Sequence, residues 1–237
     1  MELKYKRVLI KLSGEALAGD KKNGFDDKIV ENICESIKKC VGVGAQVAIV
    51  VGGGNFWRGR SSGTMDRTHA DHMGMLATVM NSIYIADTLN QMDCPAVVQT
   101  AISMEPIAKC FNKDQAVSEL ENGKVVVFGC GTGNPYFSTD TASALRGIEI
   151  GADIILKATM VDGVYDCDPH KNENAQKYDT LTFKEVLENE LNVMDMAAAA
   201  LCGDNNMPLV VFSMEDPNNI YRVICGDNIG TIVTKQK

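Results

Sequence analysis

The sequence predicts an α/β fold with a mostly parallel sheet held between layers of helix. Three observations carry this. Short apolar runs rich in valine and isoleucine alternate with segments whose apolar residues recur at helical spacing. Glycine-rich turns follow several of those runs. A repeated strand–helix–strand order requires right-handed crossovers, which make neighbouring strands parallel.

Arg7 to Leu12 reads as the first buried strand. Asp26 or Asp27 caps a helix with the stripe Ile29, Ile33, Ile37 and Val41, and Gly42 and Gly44 stop it. Gln46 to Val51 is a second strand, ending in Gly52-Gly53-Gly54. After a polar segment, Arg58 to Thr68, the stretch His69 to Met92 carries Met73, Leu76, Met80, Ile83 and Leu89 at helical spacing. These are expected to face the core. Ala96 to Thr100 is a strand, Ile107 to Leu120 a helix, and Lys124 to Phe128 a strand that runs into a second glycine-rich loop, Gly129 to Pro135. Thr139 to Ile150 is a helix and Asp153 to Leu156 a strand. Two further helical patterns precede a strand at Pro208 to Phe212, a helix at Asn218 to Ile224 and a strand at Thr231 to Thr234. No Pro/Ser-rich linker or repeat interrupts the pattern, so one domain, 1–237, is expected.

Composition narrows the function. The chain has 237 residues, 23 Lys plus Arg against 31 Asp plus Glu, and a formal net charge of −8. That balance argues against sequence-independent nucleic-acid binding, which relies on basic surface. No run of 18 apolar residues exists, and the first apolar run is too short for a signal peptide. The 8 cysteines form no CxxC pair and have only 3 histidines for company, so zinc and redox motifs fail on spacing. A reduced, cytoplasmic protein with cysteines as small core residues is expected. There is no GxxxxGK[ST], no HRD or DFG set and no GxSxG elbow. His69 and His72 lie one turn apart without a third ligand at matching spacing.

In an open α/β sheet ligands bind beyond the C-terminal strand ends, and four loops there are unusual. Lys11-Leu12-Ser13-Gly14-Glu15 offers an ammonium and exposed N–H groups to a phosphate, or is a plain turn. Gly52-Gly53-Gly54-Asn55 with Arg58 allows close backbone approach and a charge-assisted fork, or is a tight turn with a surface arginine. Gly131 to Pro135, followed by Ser138-Thr139-Asp140-Thr141, crowds hydroxyls at a helix start, where they cap the helix, contact an anion or do both. Lys157 to Pro169 is rich in aspartate turns, and its Tyr165 can stack on a base.

Together, KLSGEAL, VVGGGNFWRG, DHMGMLATVMN, GTGNPYFSTDTA, LKATMVDGVYDCDP and VMDMAAAA, in this order, resemble the bacterial UMP kinases (uridylate kinases) of the amino acid kinase family. The resemblance implies a three-layer αβα sandwich, a hexamer, and transfer of the ATP γ-phosphoryl to UMP with Mg²⁺. It places Lys11, Leu12, Ser13, Gly14, Gly54 and Arg58 on the ATP phosphates, and Thr159, Tyr165 and Asp168 on the adenosine side. It places Gly53, Asp71 and the loop Thr132, Gly133, Asn134, Pro135, Tyr136, Phe137, Ser138 and Thr139 on UMP. Lys11, Arg58 and Asp140 are the catalytic candidates, with Asp140 orienting the lysine or supporting the metal. No side chain is assigned as a metal ligand. GTP activation and UTP feedback are further implications, with Ala18 to Phe25 in the region concerned. Two other readings compete: a kinase of the same fold acting on a carboxylate or carbamate, and a nucleotide sensor or oxyanion-storage protein without catalysis.

Overall fold

A run such as QVAIVV has no polar face, so it is stable only in a sheet covered on both sides. The computed structural model, which describes residues 3–57, 63–167, 169, 171–191 and 193–236, has that arrangement. Its strands are β1 (Arg7–Leu12), β2 (Gln46–Val51), β3 (Ala96–Thr100), β4 (Lys109–Cys110), β5 (Val125–Gly129), β6 (Ile154–Thr159), β7 (Val164–Tyr165), β8 (Lys177–Tyr178), β9 (Thr180–Thr182), β10 (Leu209–Ser213) and β11 (Thr231–Thr234). Its helices are α1 (Gly14–Ala18), α2 (Asp27–Gly42), α3 (Arg67–Gln91), α4 (Lys113–Glu121), α5 (Thr139–Glu149), α6 (Phe183–Glu188), α7 (Met196–Asp204) and α8 (Asn219–Ile224).

Nine strands form one sheet in the order β4-β3-β5-β2-β1-β6-β10-β11-β9. All its pairings are parallel except β10–β11. β7 and β8 form a separate antiparallel ribbon. Alternation along β1 sends Val8, Ile10 and Leu12 into a core with Ile33 and Ile37 of α2, Ile85 of α3 and Ile220 of α8. Leu9 joins the opposite core with Leu120 of α4, Ala142 of α5 and Phe183 of α6. This is the expected three-layer sandwich.

The same alternation decides where the charges go. Lys11 shares its strand face with Leu9, and Lys157 shares its face with Ile155, so both ammonium groups rise on the α5 side. β1 and β6 pair with Lys11 opposite Lys157. α5 meets the sheet through small residues. A Cβ on Gly147 would lie 3.2 Å from Ile155 Cγ1. A larger side chain there would lift the helix and withdraw its first turn from the lysines.

Several expectations are corrected. The stretch 107–112 is not helical: β4 pairs with β3, and α4 begins at Lys113, where the Asn112 side chain accepts the Gln115 N–H at 2.9 Å. β6 continues to Thr159, so Lys157 lies within a strand rather than the following loop. The stripe Met73, Leu76, Met80 and Ile83 does not face the core; these residues are 39, 53, 47 and 41% exposed. The buried face of α3 instead holds Ala70, Ala77, Thr78, Asn81, Ser82 and Ile85. Helical period alone cannot say which of two apolar faces packs inward, and here the smaller residues do, allowing close approach to the sheet. Five cysteines are buried, but Cys110 and Cys167 are exposed.

Candidate active site

At the centre of the site a carboxylate lies between two ammonium groups. Like charges directly opposite on paired strands repel, so Lys11 and Lys157 need an anion. Asp140, in the first turn of α5, supplies it. Its Oδ1 lies 3.1 Å from Lys11 Nζ and its Oδ2 2.7 Å from Lys157 Nζ. Lys157 Nζ also donates to Val193 O at 2.5 Å. All three side chains are 14–15% exposed, enough to meet a ligand from one side. Burial works to raise the Asp140 pKa, but Lys11 and Lys157 outweigh it and hold the carboxyl below its ordinary value. Burial pulls the Lys157 pKa below its ordinary value, and Asp140 only partly opposes this.

α5 starts here because Ser138 caps it, its Oγ accepting from Asp140 N at 3.0 Å and Thr141 N at 3.4 Å. The Ser138 hydroxyl in turn donates to Asp195 Oδ2. Thr141 Oγ1 donates to the same carboxylate at 3.0 Å, and Asp195 caps α7 by accepting from Ala198 N at 2.9 Å. One carboxylate therefore joins two helix starts. Neither Asp195 nor Lys157 is among the candidates drawn from the sequence; for Lys157 the available signal is a second lysine directly after an apolar strand run, IILK beside VLIK. Removing a carboxylate that caps a helix and satisfies two hydroxyls costs about 1–3 kcal/mol. Asp195→Ala should lose that much in urea unfolding; a loss under about 0.5 kcal/mol would mean water replaces it fully.

A cavity of about 150 Å³ adjoins the charged cluster, lined by Gly53, Asp71, Thr132, Asn134, Phe137, Ser138 and Thr139 among others. It thus gathers seven of the ten residues assigned to the UMP side; Gly133, Pro135 and Tyr136 belong to the same loop but do not line it. Gly53 rests on α3: a Cβ there would lie 2.8 Å from Ala77 Cβ and 2.9 Å from Gly74 O. Asp71 accepts from Tyr136 N at 2.8 Å and pairs with Arg67 at 2.9 Å, joining α3 to the loop. Cys130, Gly131, Gly133 and Tyr136 all have positive φ (66, 56, 80 and 72°). Two non-glycine residues in the left-handed region within seven positions mark a held, strained loop.

The ATP-side candidates are less united. Lys11 and Ser13 follow one another at the end of β1; Leu12 is buried, so only its backbone is available. Ser13 lines a cavity of about 480 Å³ with Glu15, Asp26, Met160 and Met214. Gly54 sits against Glu15. Thr159 ends β6, its hydroxyl accepting from Val161 N at 2.9 Å. Tyr165 lines a different cavity, about 420 Å³, and donates to Asp162 at 2.6 Å. Arg58 and Asp168 lie outside the described residues.

The amino acid kinase family profile matches residues 6–213. The chain belongs to the amino acid kinase family. Among solved structures, the UMP kinase of Bacillus anthracis is 39% identical, with a TM-score of 0.95 over 98% of this chain and 97% of that one. The UMP kinase of Ureaplasma parvum is 38% identical, with a TM-score of 0.91 over 99% and 100%. The uridylate kinase of Archaeoglobus fulgidus is 28% identical, with a TM-score of 0.71 over 95% and 99%. A family kinase implies a divalent metal with its nucleotide. Among the described residues no group of three or more His, Cys, Asp or Glu side chains could hold an ion. Both Asp140 oxygens already face lysines. The described side chains do not build a metal cage of their own.

Proposed function

We propose that this chain is a UMP kinase, a single domain that transfers the ATP γ-phosphoryl to UMP to give UDP and ADP. The observation that carries the reading is the Lys11–Asp140–Lys157 cluster beside the cavity lined by Asp71, Thr132, Asn134 and Phe137 to Thr139. The acceptor phosphate has a second pKa of about 6 and is already an anion at pH 7. No general base is required. The obstacle is repulsion between two polyanions, which positioning and positive charge overcome. Lys11 and Lys157 face the transferring group from adjacent strands. Asp140 sets their direction and spacing, and so takes the orienting role rather than that of a metal ligand. Glycine-loop N–H groups and the start of α5 meet phosphate oxygens. A bond forms from a UMP phosphate oxygen to the γ-phosphorus as the bond to the β–γ bridging oxygen breaks. Mg²⁺ bound with ATP would offset phosphate charge; no step of this scheme depends on its position.

Asp71, which lines the acceptor cavity, suits the two hydroxyls of a ribose. This favours a nucleotide acceptor over a carboxylate or carbamate. The charged cluster favours catalysis over sensing or oxyanion storage. An ADP-release assay across UMP, CMP, dTMP and amino-acid acceptors tests the reading, with UMP expected to be turned over fastest. Equal rates with CMP or an acyl acceptor would refute the assignment. The reading includes a cytoplasmic location and response to GTP and UTP; among the described residues no helix is long and apolar enough to cross a membrane.

It also includes a homohexamer. Met73, Leu76, Met80 and Ile83 recur at 3-4-3 spacing on the outside of α3, a stripe suited to a second copy of the same helix. Leu76→Glu with Met80→Glu should reduce the assembled mass in sedimentation without unfolding the chain. An unchanged sedimentation coefficient would place the contact elsewhere.

A further inference from the structure

The transfer scheme leaves one buried polar pair without a role. Asn55 is 2% exposed and Asn81 0%. Their amides bond reciprocally, Asn81 Nδ2 to Asn55 Oδ1 at 2.7 Å and Asn55 Nδ2 to Asn81 Oδ1 at 3.0 Å. Asn81 Nδ2 also donates to Gly52 O at 2.6 Å, and Asn55 Nδ2 to Gly24 O at 2.9 Å. Both protons of each amide are thereby used. Turning Asn81 over would set oxygen against Gly52 O and nitrogen against Asn55 nitrogen. The arrangement is therefore unique, as fully satisfied buried networks tend to be.

The contacts of this pair give it a purpose. A Cβ on Gly14 would lie 2.4 Å from Gly52 O and 2.7 Å from Asn55 Oδ1. The loop after β1 thus packs directly on the atoms that Asn81 holds. The loop after β2 packs on α3 through Gly53. Both phosphate-side loops are referenced to one side chain in the middle of a 25-residue helix.

We propose that Asn81 is a positioning residue for phosphoryl transfer: through Asn55 and Gly52 it holds the Gly14 loop and the Gly52–Gly54 loop in the arrangement that receives the donor phosphates. This rests on the kinase reading above. An error of about 1 Å in such positioning can cost about 10²-fold in rate. Of the residues lining the acceptor cavity Gly53 lies in the held loop, but Asp71 and Ser138 sit elsewhere on α3 and at the start of α5, so UMP affinity should fall far less than kcat.

The test uses the full chain and four variants: Asn81→Ser, Asn55→Ser, the double serine variant, and Asn81→Asp. The last keeps the side chain's size while removing the donor to Gly52 O, and it carries the test if the serine variants do not fold. Kinetics are measured well below each variant's unfolding temperature. The expected result is a kcat loss of about 10²-fold with the UMP KM within threefold. The double variant should be little worse than Asn81→Ser alone, because each single variant already breaks the reciprocal amide pair and Asn81→Ser also removes the bond to Gly52 O. Wild-type kcat in a folded variant, or a multiplicative double loss with a matching rise in UMP KM, would overturn the proposal. ATP binding by calorimetry separates it from the reading beneath it. A wild-type chain that binds ATP but does not phosphorylate UMP would overturn that reading. A tenfold loss of ATP affinity in the variants would still support the loop-holding role, and an unchanged affinity in that case would overturn it as well.

Discussion

Lys157→Ala is expected to lower kcat by about 10²–10³-fold, as removal of one preorganised electrostatic donor typically does. The residue sits opposite Lys11 across the β1–β6 pair and shares Asp140 with it. If the two lysines stabilise charge on the transferring group together, losing either removes a contact made mainly in the transition state. KM for UMP should then move little, because the acceptor cavity is lined by other residues. Lys157→Arg should recover only part of the rate. A guanidinium keeps the charge, but its planar fork does not reproduce the bonds of one ammonium to Asp140 and Val193 O. A Lys157→Ala enzyme with a kcat within about threefold of wild type would assign the lysine to structure alone.

How much of the fold and site is legible in the sequence depends on the kind of signal. β1, β2 and β10 are placed within a residue because their apolar runs are bounded by charge, glycine or proline. Helix starts are legible where a side chain can cap, as at Asp26 and Ser138. Loop motifs bring Asp71, Thr132, Asn134 and Phe137 to Thr139 to one cavity, though the motifs alone do not say what fills it. Features that depend on register or facing are not legible. Lys157 stays unassigned because only strand pairing sets it opposite Lys11. Asp195 stays unassigned because its partners, Ser138 and Thr141, lie over fifty positions away. The outward methionines of α3 look like core because a helix apolar on two sides has no single periodic signature. The segment expected to be helical from Ile107 contains a short edge strand that its composition does not announce.

Asp140→Asn should produce two defects with opposite pH dependence. Asp140 is the anion common to both lysines, and taking away its charge leaves two partly buried ammonium groups facing each other. Breaking a buried ion pair by removing one partner costs about 3–5 kcal/mol; asparagine, which can still accept a hydrogen bond, should fall at or below the lower end. The charged groups around Lys157 fix the direction of the pH effect. Burial lowers its pKa, Lys11 lowers it further, and Asp140 and Asp195 oppose that. Without the Asp140 charge the Lys157 pKa falls again, so the variant sheds this proton at lower pH than the wild type. Its activity relative to wild type should therefore decline as pH rises from about 6.5, where the UMP phosphate is mostly ionised, toward the ordinary lysine range. Stability moves the other way. A lysine whose folded pKa is depressed binds fewer protons folded than unfolded once pH exceeds that lowered value, so folding gains as pH rises through it. The stability deficit of the variant should shrink over the same interval in which its activity deficit grows. Urea unfolding and kcat measured at matched pH values provide the check. Deficits that stay constant across this interval, or change together, would mean that Lys157 keeps its proton without Asp140 and that the carboxylate holds the lysines in place without setting their charge.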